Sequence, residues 1–283
     1  MLVNAKEMMN KARDGHYAVP HFNINNLEWT RFILEESEAM NSPLILGVSE
    51  GAKKYMGGFQ TVSAMVKALI KDLNITIPVA LHLDHGSSVE SCKEAIDAGF
   101  TSVMFDGSKY SLEENLAMTK EVVAYAKLHD VSVEAEIGHI GGEEDGVADE
   151  LAYAKVEDAV RLGLESGIDF LAPALGSVHG IYKGEPKLDF GRMKEIKEKT
   201  NLPLVLHGGS GIPDDMIRTA IDCGIAKLNI NTELQIAWSK AVRTFLNENV
   251  SVYDPRKIIK AGEAAMKETI KDKILLLGSN DRA

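Results

Sequence analysis

The chain has 283 residues, 45% of them hydrophobic and 26% charged, a formal net charge of −11 and a pI near 5.3. That length suits one large domain, since a barrel of eight strand–helix units takes about 250 residues, and the apolar share suits a soluble protein with a sizeable core. The acidic balance excludes a polyanion-binding surface, so no nucleic acid is expected as a partner and any phosphate has to be held locally, by backbone amides and a few cations.

Only two cysteines occur, Cys92 and Cys223, and residues 1–15 hold no continuous apolar segment. Nothing approaches a transmembrane span. The expectation is a cytoplasmic protein without a disulfide framework or a membrane partner.

Short apolar runs alternate with amphipathic stretches along the chain. Strands are expected at 17–22, 43–48, 78–84, 101–106, 131–136, 169–173, 203–207 and 225–230. Helices are expected between and after them, at 27–40, 59–73, 89–98, 112–129, 156–165, 190–199, 213–222 and 232–247. This is α/β organisation, and eight such units predict a (β/α)8 TIM barrel, with 1–283 as a single domain. A doubly wound open sheet is the alternative, but no Gly-rich dinucleotide fingerprint follows the first strand. Residues 253–277 lie beyond the eighth unit and predict an extra C-terminal helix, with Pro255 at its start.

Barrel chemistry sits at the C-terminal ends of strands. In chain order those ends present Asn23, Ser49, Asp84 with His85, Asp106, Glu134 with Glu136, His179 a few residues on, His207, and Asn229 with Asn231. The run His82-Leu83-Asp84-His85-Gly86 is the densest. Side chains alternate along a strand, so Ala80, His82 and Asp84 share one face, and His85 falls just past the strand end.

His85, His179 and His207 follow three different strands and converge on one rim. Three imidazoles plus an open position form a catalytic zinc site. His82 lies deeper and is assigned as a hydrogen-bonded core histidine or an outer partner of a ligand; His16, His21, His129 and His139 are left out of the metal site. Asp84 suits general acid/base work beside a metal, or else orients a histidine. Lys227 is in phase with Asn229 and Asn231 and should point inward. An ion pair with Glu134 is expected for it, against the rival chemistry of a Schiff-base lysine.

Two connections are unusually long, 137–155 and 175–189, and both carry several glycines. Within the first, Gly141-Gly142-Glu143-Glu144-Asp145-Gly146 is either a solvated acidic turn or a lid carrying a base. The backbone at Gly208, Gly209 and Ser210, with Asn231 and Thr232 opening the next helix, is suited to phosphate. Gly180 adds an amide. Lys183 and Arg256 are the cations for a second anionic end, although Arg256 reads equally well as solvated surface.

LHLDHGSS (81–88), SVMFDGS (102–108), VEAEIG (133–138), GGEEDG (141–146), ALGSVHG (174–180), LHGGSGIP (206–213) and LNINTE (228–233) together resemble class II, zinc-dependent fructose-bisphosphate aldolase. The short loops resemble its class IIB branch. The resemblance spans residues 17–256. It implies reversible cleavage of fructose 1,6-bisphosphate to dihydroxyacetone phosphate and glyceraldehyde 3-phosphate, with tagatose 1,6-bisphosphate or another ketose phosphate as the alternative substrate.

The resemblance also implies zinc on His85, His179 and His207, and Asp84 as the proton donor and acceptor at the C4 oxygen. Glu144 would exchange the proton at the nucleophilic carbon, with Asn229 near the enediolate. Asp106 and Glu136 match positions linked to an alternative or second metal. Gly180, Lys183, Gly208, Ser210, Asn231 and Thr232 would hold the dihydroxyacetone phosphate end, Arg256 the far phosphate, and Asn23 and Ser49 would contact substrate. A monovalent cation, Na+ or K+, on carbonyls around Val178 and Gly208 and a homodimer or homotetramer are implied too.

Overall fold

In chain order the first elements are α1 (Lys6–Gly15), β1 (Val19–Asn23), α2 (Leu27–Ala39), β2 (Leu44–Ser49), α3 (Glu50–Met56) and α4 (Phe59–Asp72). Then come β3 (Val79–Gly86), α5 (Val89–Asp97), β4 (Ser102–Phe105), α6 (Leu112–Leu128), β5 (Ser132–Ile137), β6 (Gly141–Glu144) and β7 (Val147–Asp149). The remainder is α7 (Val156–Ser166), β8 (Phe170–Pro173), β9 (Val178–His179), α8 (Phe190–Thr200), β10 (Leu204–Leu206), α9 (Asp214–Asp222), β11 (Ile225–Ile230), α10 (Thr232–Glu248), α11 (Pro255–Lys260) and α12 (Glu263–Leu277). This computed structural model describes residues 2–144, 147–149, 152–180, 182 and 184–283, with 142–144 and 147–149 described by their backbone alone.

Eight parallel strands close into a barrel in the order β1-β11-β10-β8-β5-β4-β3-β2. The expected strands and helices all appear, with ends moved by a residue or two, because each alternation pattern is satisfied locally. One face of each strand packs outward under the helices in a large apolar cluster running from Ala18 to Leu277. The inward residues Val19, Ile45, Ala80, Phe170, Ala172, Val205 and Ala226 form a second cluster with Met8, Met9 and Ala12 of α1. Helix α1 therefore plugs the barrel from below with apolar side chains, and the polar inward residues are left to the other half.

Three features depart from the expected pattern. The segment after α10 is two helices rather than one, broken at Gly262, where a Cβ would stand 2.1 Å from Trp238 Cδ1. The long connections contribute a small sheet, β7-β6-β9, whose glycines and acids carry little strand propensity. Helix α3 starts directly at Ser49, whose Oγ caps it by accepting from the amide of Ala52 at 3.1 Å.

Strand β3 holds the feature that matters most for the site. Leu83 pairs with Val103 but Gly86 pairs with Phe105, so β3 carries one extra residue, and His85 adopts a left-handed φ of 51°. His85 thus lies in a bulge inside the strand, not beyond its end. The bulge lets two consecutive residues, Asp84 and His85, serve the same mouth.

Candidate active site

His85 comes from the β3 bulge, His179 from β9 and His207 from the end of β10. Their ring centroids are 5.0 Å (His85–His179), 4.6 Å (His85–His207) and 6.0 Å (His179–His207) apart. One ligand nitrogen from each lies within 4.8 Å of the others. Outer partners fix the tautomers of two of them. His207 Nε2 lies 2.7 Å from Glu134 Oε1, and the other oxygen of Glu134 accepts from Lys227 Nζ at 2.7 Å, so Nε2 is the donor. His85 Nδ1 likewise donates to Asp106 Oδ2 at 2.9 Å.

The lone pairs of His85 Nε2 and His207 Nδ1 therefore face each other, 3.0 Å apart. Two lone pairs that converge while their rings donate outward to carboxylates suit a metal cation between them. Burial holds the His179 and His207 imidazoles well below their usual pKa, in the neutral form a metal takes.

Asp84 lies beside this cluster, fully buried. Asn23 Nδ2 donates to its Oδ2 at 2.8 Å and Asn229 Nδ2 to its Oδ1 at 3.2 Å, the latter amide also lying 3.1 Å from His207 Nδ1. Burial pushes the carboxyl up, but the surrounding imidazoles and Lys227 outweigh it and hold Asp84 well below the usual carboxylate range. Glu136 goes the other way: burial, then the nearby Asp106, push it well above that range. Its Oε2 has no hydrogen-bond partner among the described residues and lies 3.6 Å from His85 Nδ1. His85, Asp106 and Glu136 form a second grouping with metal-ligand spacing.

A third grouping, His21, His82 and Asp84, lies deeper. There His82 Nδ1 is bonded to Ser102 Oγ at 2.8 Å, and the Lys227 ammonium stands 3.5 Å from its Nε2, which disfavours a cation. The expected Lys227–Glu134 ion pair and the core role of His82 are both present. His21, left out of the metal site on sequence grounds, joins this deeper group. Its signal was the same alternation, since Val19, His21 and Asn23 share one face of β1.

The glycine-rich turn after β10 sits against the loop after β8. Gly208 has φ 63°, and a Cβ there would stand 2.2 Å from Val178 O. Gly180 also turns through positive φ, at 82°. The Gly209 amide donates to Asn229 O at 3.0 Å, so in this structure it serves the turn instead of an anion. Ser210 Oγ accepts from the Glu233 amide at 3.4 Å, next to Asn231 and Thr232 at the start of α10. Tyr182, another residue without a periodic signal, bonds both loops. Its hydroxyl accepts from Val178 N at 3.0 Å and donates to Gly208 O at 2.9 Å. Burial pushes the phenol up to about 12.

A polar cleft of about 210 Å³ is lined by Asn23, Asn25, Ser49, Tyr55, Asn231 and Gln235, and Asn23 links it to Asp84. Of Glu144 only the backbone is described; its strand β6 pairs with β9, Gly142 opposite His179. Lys183 lies outside the described residues. Arg256 is 89% exposed, and its guanidinium pairs with Asp254 at 2.9 Å, so within one chain it is a surface group. Among the described residues no helix is long and apolar enough to cross a membrane.

Comparison with known proteins places these features in context. The family model described as "Fructose-bisphosphate aldolase class-II" matches residues 3–282. A fructose-bisphosphate aldolase of Geobacillus stearothermophilus is 58% identical over 283 residues, covering 100% of this chain and 99% of its own. One from Staphylococcus aureus is 59% identical with the same coverage. Among solved structures, the YdjI aldolase of Escherichia coli K12 superposes with a TM-score of 0.86 at 35% identity, covering 100% of both chains.

Proposed function

Because the chain belongs to the class II fructose-bisphosphate aldolase family, we propose that it reversibly cleaves fructose 1,6-bisphosphate to dihydroxyacetone phosphate and glyceraldehyde 3-phosphate, working as one catalytic domain. The observation that carries this is the convergence of imidazole lone pairs beside a buried carboxylate held by two amides. His85, His179 and His207 would hold zinc, which would supply Lewis-acid stabilisation of the charge that develops on the ketose oxygen. Asp106 and Glu136 offer a second position for a metal.

The side chains do the rest. Asp84, anionic and oriented by Asn23 and Asn229, takes the C4 hydroxyl proton as the C3–C4 bond breaks and returns it in synthesis. Asn229 can donate toward the enediolate, and Asn23 and Ser49 meet substrate hydroxyls in the cleft. Gly180, Lys183, Gly208, Ser210, Asn231 and Thr232 hold the dihydroxyacetone phosphate end, helped by a monovalent cation near the Val178 and Gly208 carbonyls. Glu144, on the hairpin paired with β9, exchanges the proton at the nucleophilic carbon. Arg256 takes the far phosphate from a second copy of the chain, in a homodimer or homotetramer.

A Schiff-base route through Lys227 is disfavoured by its burial and its ion pair with Glu134. The test is turnover with and without a chelator: loss of activity, its return with zinc and no borohydride trapping are expected. A borohydride adduct on Lys227 would overturn the metal reading. Tagatose 1,6-bisphosphate differs at C4, the carbon whose hydroxyl faces Asp84, so comparing turnover of the two ketoses decides between the epimers.

A further inference from the structure

We propose that Tyr182 is a positioning residue for the metal centre: its hydroxyl bolts the loop carrying His179 to the turn carrying His207, and so fixes the separation of two ligands. The proposal rests on the reading that these histidines hold a metal. His85 lies in a bulge within a barrel strand, between Asp84, paired with Ser49 on β2, and Gly86, paired with Phe105 on β4. His179 is placed differently. It sits on a two-residue strand in the long connection after β8, and among the described residues that strand pairs only with β6, itself part of the other long connection. Neither β9 nor β6 belongs to the barrel, so the ring alone does not set where His179 stands relative to His207.

The Tyr182 hydroxyl supplies that reference. Its oxygen accepts from the amide of Val178, adjacent to His179, and its single proton goes to the carbonyl of Gly208, adjacent to His207. One atom thus ties the residue beside one ligand to the residue beside another, with both bonds near ideal length at 3.0 and 2.9 Å. The backbones also abut, since a Cβ at Gly208 would meet Val178 O at 2.2 Å, so the contact leaves no slack on that side. Tyr182 packs its ring against the outer core cluster, which anchors the bolt to the barrel body. Its hydroxyl is engaged by these two backbone groups. Its effect reaches the metal through two backbone positions.

The experiment uses the full-length protein and compares wild type, Tyr182→Phe and His207→Ala. Each is stripped of metal and titrated with Co2+ and Zn2+ against a chromophoric chelator, and the visible absorption of the cobalt form is recorded. Phe keeps the ring and loses only the bolt. Tyr182→Phe is expected to bind metal about 10–100-fold more weakly, the range seen when an outer partner of a metal ligand is lost. It should also shift the cobalt bands and recover most of its turnover at saturating metal. Thermal unfolding of the metal-free forms should match wild type, whereas a purely structural role would lower it.

Wild-type affinity and an unchanged cobalt spectrum in Tyr182→Phe, with binding lost in His207→Ala, would overturn the bolt and leave the metal reading standing. If His207→Ala binds metal as well as wild type does, the metal reading itself fails and takes the bolt with it. Gly208→Ala is a second probe from the other side of the contact. It should weaken metal binding with the hydroxyl intact, and unaltered affinity there would also count against a fixed loop separation.

Discussion

The two halves of the barrel interior are built from the same eight strands but to opposite purposes. Below, Val19, Ile45, Ala80, Phe170 and Val205 pack with α1 into an apolar plug. Above, His21, His82, Asp84, Glu134, His207, Lys227 and Asn229 are equally buried and almost entirely polar. The lower half gains stability by excluding water from hydrocarbon. In the upper half Glu134 is matched by Lys227 and His207, and Asp84 by Asn23 and Asn229, and the rigidity these bonds give is what a reacting site needs.

Substitutions separate the halves, and the largest effect belongs at the top. Asp84→Asn should lower kcat by about 10²–10⁴-fold while leaving the fold and metal content intact, as steady-state kinetics and metal analysis would read. Retained turnover would remove Asp84 from the chemistry. Lys227→Met strands Glu134 in the barrel and should cost about 3–5 kcal/mol in denaturant unfolding, because a buried charge is left unpaired. Adding Glu134→Gln should return part of that loss.

In the lower half, Met9→Ala leaves a cavity in the plug and should cost about 2–5 kcal/mol with kcat per folded molecule unchanged. A fall in kcat at full folding would mean that the two halves are not separable. The smallest change probes their boundary. At Gly47 a Cβ would stand 1.7 Å from His21 Nε2, so Gly47→Ala should cost about 1–3 kcal/mol through overpacking. It should also lower kcat modestly, since His21 Nε2 lies 3.6 Å from Asp84 Oδ2.

Much of this division was legible in the residues. Strand alternation separates outward from inward positions, and it correctly paired Lys227 with Glu134 and kept His82 in the core. It could not show that His85 enters through a bulge, because one extra residue leaves no trace in a period of two. Nor did it show α1 as a plug, since a short helix of mixed charge is defined by what it covers. The roles of Tyr182 and of the Gly209 amide depend on two loops meeting, and no local pattern encodes such a meeting. Glu144 takes its role from the resemblance, and Arg256 was read from the residues as a cation or as solvated surface; within one chain Arg256 is exposed and paired with Asp254.

The ring closes where β1 meets β11, pairing Val19 with Lys227 and His21 with Asn229, roughly 200 residues apart in sequence, so this seam carries the greatest loop-closure entropy of the barrel. Asp84 is gripped from both sides of that seam, by Asn23 on β1 and Asn229 on β11. An open, partly folded sheet can hold every other strand pairing, and with β1, β2 and β3 the Asn23 side of the grip, and still lack the Asn229 side. Regain of turnover during refolding therefore reports the longest-range pairing in the chain, whereas helical signal returns with the local ones.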